Sequence, residues 1–278
     1  MRPWSTVTIA GVGLIGGSFA LALRSAGFTG KIIGVSSLNT IAAAVERGVI
    51  DVGLPLAEAA AQSDVVYLAQ PIERIITMLD EVDSVVRPGT LITDAGSTKL
   101  EIVERAAKAV QRGRFVGGHP MAGKEARGVE AADPHLFRGR PYVLTSPDPL
   151  LEEWVGRIGA RLVRLDAAEH DRLAAVVSHV PQLISTALAA TIGMEPDARL
   201  VAGPASHDLT RLALSPYDIW RDIFATNTGE IDAALGRFIA KLEQLRAALR
   251  SGPAADFSNL KDEFERAGDA ARAIRRTS

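Results

Sequence analysis

An α/β fold is predicted, with a doubly wound parallel sheet followed by a mainly helical domain, and three observations predict it. A β-branched apolar run, Val7-Thr8-Ile9-Ala10, enters the glycine turn Gly11-Val12-Gly13-Leu14-Ile15-Gly16 and leaves it in a helical stretch. Strand-length apolar runs then alternate with helix-length segments as far as Thr145, which is the spacing of βαβ units. Beyond Ser146-Pro147-Asp148-Pro149 the pattern becomes helical, so domains are expected at 1–148 and 149–278.

Composition narrows the classes of function. The 278 residues are 47% hydrophobic and 23% charged, which describes a globular chain able to bury a large core. A formal net charge of −2 gives no electrostatic case for nucleic acid or an acidic membrane. Without cysteine there is no disulfide, thiolate metal site or cysteine nucleophile. Met1-Arg2-Pro3-Trp4 runs straight into the first strand, leaving no signal peptide, and no stretch of about 18 apolar residues reads as a membrane span. A cytoplasmic enzyme fits this composition.

Each element has a local reason. In the opening turn Gly11 permits the tight bend, Gly13 lets backbone approach a pyrophosphate, and Gly16 lets the helix lie against the strand. The first helical residues, Leu14 and Ile15, carry free N–H groups at the positive end of the helix dipole, where phosphate charge is favoured. The turn is therefore read as a Rossmann-type nicotinamide dinucleotide site. Lys31–Val35 is the second strand. Its end, where NAD-selective sites place an acid for the ribose, reads Ser36-Ser37-Leu38-Asn39, and the first acidic residue is Glu46. Loss of that carboxylate removes repulsion against a 2′-phosphate, and the hydroxyls can donate to one, yet no arginine stands beside Ser36. The choice of NAD or NADP stays open, with a slight lean to NADP. Asn39 is expected to cap the next helix.

Asp64–Ala69 is a buried strand, and Gln70-Pro71 ends it and starts a helix running to about Val86. Thr90–Asp94 is another strand, followed by Ala95-Gly96-Ser97-Thr98-Lys99 and a helix from Leu100 to Val110. Arg114–Gly118 is a further strand, leading into His119-Pro120-Met121-Ala122-Gly123-Lys124-Glu125. Ligands bind outside the carboxyl ends of such strands. The glycine turn, Ala69-Gln70-Pro71, the Gly96 loop and the His119 loop should therefore line one cleft. Pro141–Thr145 is an added strand, Leu150–Gly159 a helix and Arg161–Leu165 a short strand. A long helix from Ala167 to about Ile192 carries Pro181, which should kink or break it. Residues 204–227 are mixed helical pieces. After Thr228 a seam of Ile231, Leu235, Phe238, Leu242, Leu245 and Leu249 suits a helical core or subunit interface, and 254–276 is a charged amphipathic helix.

Oxidising an alcohol needs a base at the hydroxyl, and His119 is the best-placed histidine. Ser97 is suited to orient that histidine or the substrate hydroxyl, or to cap the following helix. Lys99 is a candidate for a substrate carboxylate. His179, in an apolar stretch, reads on its own as a buried, hydrogen-bonded core histidine. Arg211 and Arg221 read as structural ion pairs, and His135 and His170 lack supporting neighbours. No histidine–carboxylate spacing suggests a metal.

Together Gly11–Ser18, Asp94–Lys99, Gly118–Glu125, Ser178-His-Val-Pro181, Asp208–Ala213 and Trp220–Phe224 resemble the prephenate/arogenate dehydrogenase family of tyrosine biosynthesis. The resemblance implies a Rossmann domain, a helical dimerisation domain and an active site between them. It implies oxidative decarboxylation of prephenate or arogenate, with His119 as base and Ser97 orienting the ring hydroxyl. Lys99 and Arg211 would hold carboxylates, with His179 and Gln182 beside the substrate. Gln182 stands where prephenate-preferring members often carry a second histidine. No chorismate mutase or regulatory domain is expected. Two rival readings are a 3-hydroxyacid-type dehydrogenase, whose helical-domain lysine is missing from 167–192, and a non-catalytic dinucleotide sensor.

Overall fold

The computed structural model describes residues 3–124, 126–250 and 257–276. Glu125 of the His119 loop and the 254–256 start expected for the last helix lie outside the described residues.

Six parallel strands form the first sheet, β1 (Thr6–Ala10), β2 (Lys31–Val35), β3 (Val52–Gly53), β4 (Val65–Leu68), β5 (Leu91–Asp94) and β6 (Arg114–Val116). Their order, β3-β2-β1-β4-β5-β6, reverses beside β1, and a crevice opens at that switch point, outside the strands' carboxyl ends. β1 lies centrally, with Ile9 opposite Gly34 on one side and Tyr67 on the other. Buried on both faces, the central strands β1, β4 and β5 read as near-continuous apolar runs. The covering helices are α1 (Leu14–Ser25), α2 (Leu38–Glu46), α3 (Leu56–Ala61), α4 (Ile72–Val85) and α5 (Leu100–Ala109). Ser37, and not Asn39, caps α2, its side chain accepting from the Thr40 amide.

The run expected as one strand over 114–118 divides at Gly117. β6 ends on the parallel sheet, and β7 (Gly118–Pro120) turns into a second sheet of order β7-β8-β9. There β7 pairs antiparallel with β8 (Pro141–Leu144), with His119 opposite Val143. His119 is thus held inside a strand and not in a loop.

The boundary expected at 148/149 falls inside this first unit. β9 (Arg161–Arg164) extends the second sheet beside β8. The helix between them, α6 (Pro149–Arg157), sends Trp154 to stack on Trp4, ring centres 6.0 Å apart, and to meet Phe28 edge-on at 5.5 Å. Asp148 caps α6 and so belongs to the helix rather than to a linker.

The helical unit begins at α7 (Ala167–Ala174), capped by Asp166. A π turn (Ala175–His179) separates it from α8 (Val180–Gly193), and Pro181 stands in the first turn of α8, where its missing N–H costs least. By length and mean hydropathy, 167–193 is long and apolar enough to cross a membrane. Its buried side carries His170, Asp171, His179, Gln182 and Ser185 in interior contacts, as suits a core helix. α9 (Pro204–Thr210), α10 (Tyr217–Arg250) and α11 (Ser258–Arg276) follow, with α10 kinked at Asn227. Of the expected seam, Ile231 is buried, while Leu242 and Leu249 are 49% and 62% exposed.

Candidate active site

Beside β1 the chain is packed too tightly for side chains. A methyl on Gly16 would fall 2.0 Å from the Gly11 carbonyl oxygen, and one on Gly11 would fall 2.3 Å from that of Ala69. Gly13 instead faces open space and begins α1 as an N-cap with no side-chain hydrogen bond. Backbone N–H groups at Gly13, Leu14 and Ile15 are therefore available to a phosphate, so these residues fit a dinucleotide. Ala69 borders the same opening, with Gln70 and Pro71 next to it at the head of α4. Ser36 is exposed at the end of β2, and Ser37 shares that exposure while capping α2.

A cavity of about 520 Å³ lies between the two units. Gly13, Leu14, Ile15 and Ala69 line it on one side; Gln182, Arg211, Ser215 and Trp220 line it on the other; Lys124 and Arg127 stand at its rim. Arg211 and Gln182 thus reach the same space as the dinucleotide turn. The Gln182 amide nitrogen donates to the Leu212 carbonyl at 2.9 Å. Since a carbonyl only accepts, that contact fixes the amide orientation. It leaves Gln182 Oε1 buried with no hydrogen-bond partner.

His119 is 8% exposed, and its Nδ1 lies 2.8 Å from His170 Nε2. His170 Nδ1 lies 2.7 Å from Asp171 Oδ1. His170 therefore does have neighbours, contrary to the expectation for it. Asp171 also accepts from the amides of Lys99 (2.7 Å) and Leu100 (2.9 Å), so a carboxylate from α7 caps α5. Ser97 does not cap that helix, and among the described residues no hydrogen bond joins it to His119. Burial, reinforced by the nearby Lys99 ammonium, holds His119 well below the ordinary histidine range, so its ring is neutral at pH 7.

Lys99 departs furthest from expectation. Its side chain is fully buried and its ammonium pairs with the equally buried Asp94. The other Asp94 contacts are the Gly96 amide at 2.7 Å and the Gly118 amide at 3.0 Å. Lys99 is thus spent on an internal pair that ties the Gly96 loop and β7 to the end of β5, and is not presented to a substrate carboxylate. Burial also lowers its pKa. His179 is 1% exposed, accepts from Asn227 Nδ2 at 3.2 Å and is pushed down to about 4 by burial. That geometry matches the core histidine read from its apolar surroundings. Asp94, His170, Asp171 and Asn227 were missed by sequence reasoning; only the adjacent His170-Asp171 pair after the Asp166 cap left a visible trace.

A glycine-cradled helix N-terminus facing a helical unit across one cavity defines the class of two-domain Rossmann dinucleotide-binding proteins. Known proteins narrow this further. The nucleotide-binding domain of prephenate dehydrogenase matches residues 19–167, and its dimerization domain matches residues 166–263. The chain belongs to the prephenate dehydrogenase family. It is 36% identical over 228 residues to a prephenate dehydrogenase of Lactococcus lactis subsp. cremoris, covering 80% of this chain and spanning 64% of that relative. A solved prephenate dehydrogenase from A. aeolicus, in complex with hydroxyphenyl propionate and NAD+, superposes with a TM-score of 0.88 at 30% identity, covering 96% of this chain and 98% of that one. An arogenate dehydrogenase from Synechocystis gives 0.80 at 27% identity, covering 96% and 99%. The two family domains meet at 166–167, where β9 gives way to α7.

Proposed function

We propose that this chain catalyses oxidative decarboxylation of arogenate to tyrosine, of prephenate to 4-hydroxyphenylpyruvate, or of both, as a cytoplasmic homodimer in tyrosine biosynthesis. The observation that carries the reading is a neutral, buried His119 held at the domain junction that also bears the dinucleotide turn. In this reading His119 Nε2 accepts the hydrogen bond of the ring hydroxyl and takes up its proton as the C–H bond at the same carbon breaks. A bound nicotinamide supplies the hydride acceptor. Loss of the ring carboxylate as CO2 then leaves an aromatic ring, and the proton returns to the phenolic oxygen. Ser97 orients the hydroxyl, Arg211 pairs with a substrate carboxylate, and His179 packs the substrate wall through Asn227 and Trp220.

Substrate and cofactor preference follow from two local features. Gln182 Oε1 is a buried acceptor that needs a donor, and the side-chain ammonium of arogenate is one where the keto group of prephenate is not. Arogenate is therefore the favoured substrate. Ser36 and Ser37 offer hydroxyls and no carboxylate at the ribose position, which supports a lean to NADP. Arogenate and prephenate, each offered with NAD and NADP and followed by reduced-nicotinamide absorbance, test all of this. Turnover greatest with arogenate and NADP is the expected result. Silence in all four mixtures from folded, cofactor-binding protein would overturn the reading.

A further inference from the structure

His119, His170 and Asp171 form a chain of hydrogen bonds across the domain junction, and proton bookkeeping along it gives a definite answer. Asp171 is an acceptor, already taking the amides of Lys99 and Leu100 at the start of α5. The 2.7 Å contact to it therefore requires a proton on His170 Nδ1. In neutral His170 the other nitrogen, Nε2, is then an acceptor, and the 2.8 Å contact requires a proton on His119 Nδ1. The unprotonated nitrogen of His119 is left as Nε2.

We propose that His170 and Asp171 are positioning residues that hold His119 in its Nδ1–H tautomer, so that Nε2 is the atom free to accept the substrate's hydroxyl proton. The inference rests on the functional reading above for its catalytic consequence, though not for the tautomer itself. The alternative proton arrangement is a cationic His170 donating to both neighbours. It would place a second positive charge in a buried pocket that already holds the Lys99 ammonium, and it would leave His119 protonated at Nε2 and unable to act as a base. The other groups facing this chain are neutral or already satisfied. His179 accepts from Asn227, Asn227 donates to the Asp171 carbonyl at 2.9 Å, and Asp94 is paired with Lys99. Once His119 takes a proton, Asp171 is the carboxylate that offsets the imidazolium, relayed through the His170 ring, whose centre lies 5.0 Å from that of His119. The arrangement also makes the base dependent on domain docking, because His119 belongs to β7 and its two supports belong to α7.

The test reads the tautomer directly in full-length protein with ¹⁵N-labelled histidine, by long-range ¹H–¹⁵N correlation at pH 7, with the His119 signals assigned from their loss in His119→Asn. A protonated Nδ1 and bare Nε2 are expected; a protonated Nε2 would overturn the proposal. His170→Phe keeps a ring but removes the acceptor. It should shift His119 toward the Nε2–H form and lower kcat by about 10²–10⁴-fold, the scale seen when a catalytic histidine is left in the wrong tautomer, with KM nearly unchanged. An unchanged tautomer and an unchanged kcat would equally overturn it. Should that variant not fold, His170→Gln is read instead. Its amide oxygen should keep His119 in the Nδ1–H form, and an Nε2–H spectrum would count against the relay. A wild-type protein with the expected tautomer that turns over neither arogenate nor prephenate would sink the functional reading and leave the relay intact.

Discussion

Lys99 separates two accounts of one residue, and the structure lets the difference be worked out. As a substrate ligand it would face the cavity, and its loss would raise KM while leaving the fold alone. In the structure its ammonium is fully buried against Asp94, which is itself fully buried. Lys99→Met keeps most of the side-chain volume and leaves the Asp94 carboxylate with only the Gly96 and Gly118 amides. Breaking a buried pair from one side costs about 3–5 kcal/mol, because an uncompensated charge stays in a site of low polarity. At about 2–4 °C per kcal/mol for a unit of this size, the thermal midpoint should fall by roughly 6–20 °C. The double variant Asp94→Asn/Lys99→Met removes both charges and should recover a large part of that loss. Thermal unfolding of the wild type, both single variants and the double variant, followed by circular dichroism, supplies the cycle. A Lys99→Met protein that melts within about 2 °C of wild type yet binds substrate far more weakly would refute the strut and restore the substrate contact.

Four further outcomes are expected. His119→Asn should keep cofactor affinity and lower kcat by about 10²–10⁴-fold, as measured by steady-state rates beside a cofactor titration. Because burial disfavours the imidazolium, His119 stays in its base form as the pH falls, so the acid limb of kcat/KM should lie below the ordinary histidine value of about 6.5. His179, pushed down to about 4, is a histidine whose folded value lies below its unfolded one. Stability is therefore full above about pH 6.5 and declines toward pH 4 by up to about 3 kcal/mol, which denaturant titrations across that range would read. Ser36→Asp should move cofactor preference toward NAD by at least about tenfold, since the new carboxylate binds ribose hydroxyls and repels a 2′-phosphate; an unchanged preference ratio would place the discrimination elsewhere.

The first domain was legible in the sequence because its signals are local. Gly11 and Gly16 are demanded by contacts within a few residues or with the adjacent strand, and the apolar runs of β1, β4 and β5 report burial on both faces. Pro149 misled because a proline suits the first turn of a helix as well as a linker, and here it starts α6, whose Trp154 packs on Trp4. Lys99 misled for a different reason. A lysine at a helix start is ordinarily exposed, and its acceptor lies five residues back at the end of a strand, where chain geometry alone brings the two together. Ser97 looked like the cap of α5 because serine commonly is one, whereas the cap arrives from residue 171.

The Asp171 contacts explain why the candidate site around His119 was the least legible part. One carboxylate from the helical unit supports His170, and through it His119 on β7, and it also caps the helix that follows the Ser97 loop. Fifty-one residues separate His119 from His170, and 71 separate Leu100 from Asp171, so no spacing rule links them. Asn227 adds a third strand of chain at the kink of α10, donating to the Asp171 carbonyl and to His179. A substitution at Asn227 that straightens α10 should therefore disturb the Asp171 end of the chain first and the His119 tautomer second. Catalysis would be lost before cofactor binding, since the glycine turn makes none of these contacts.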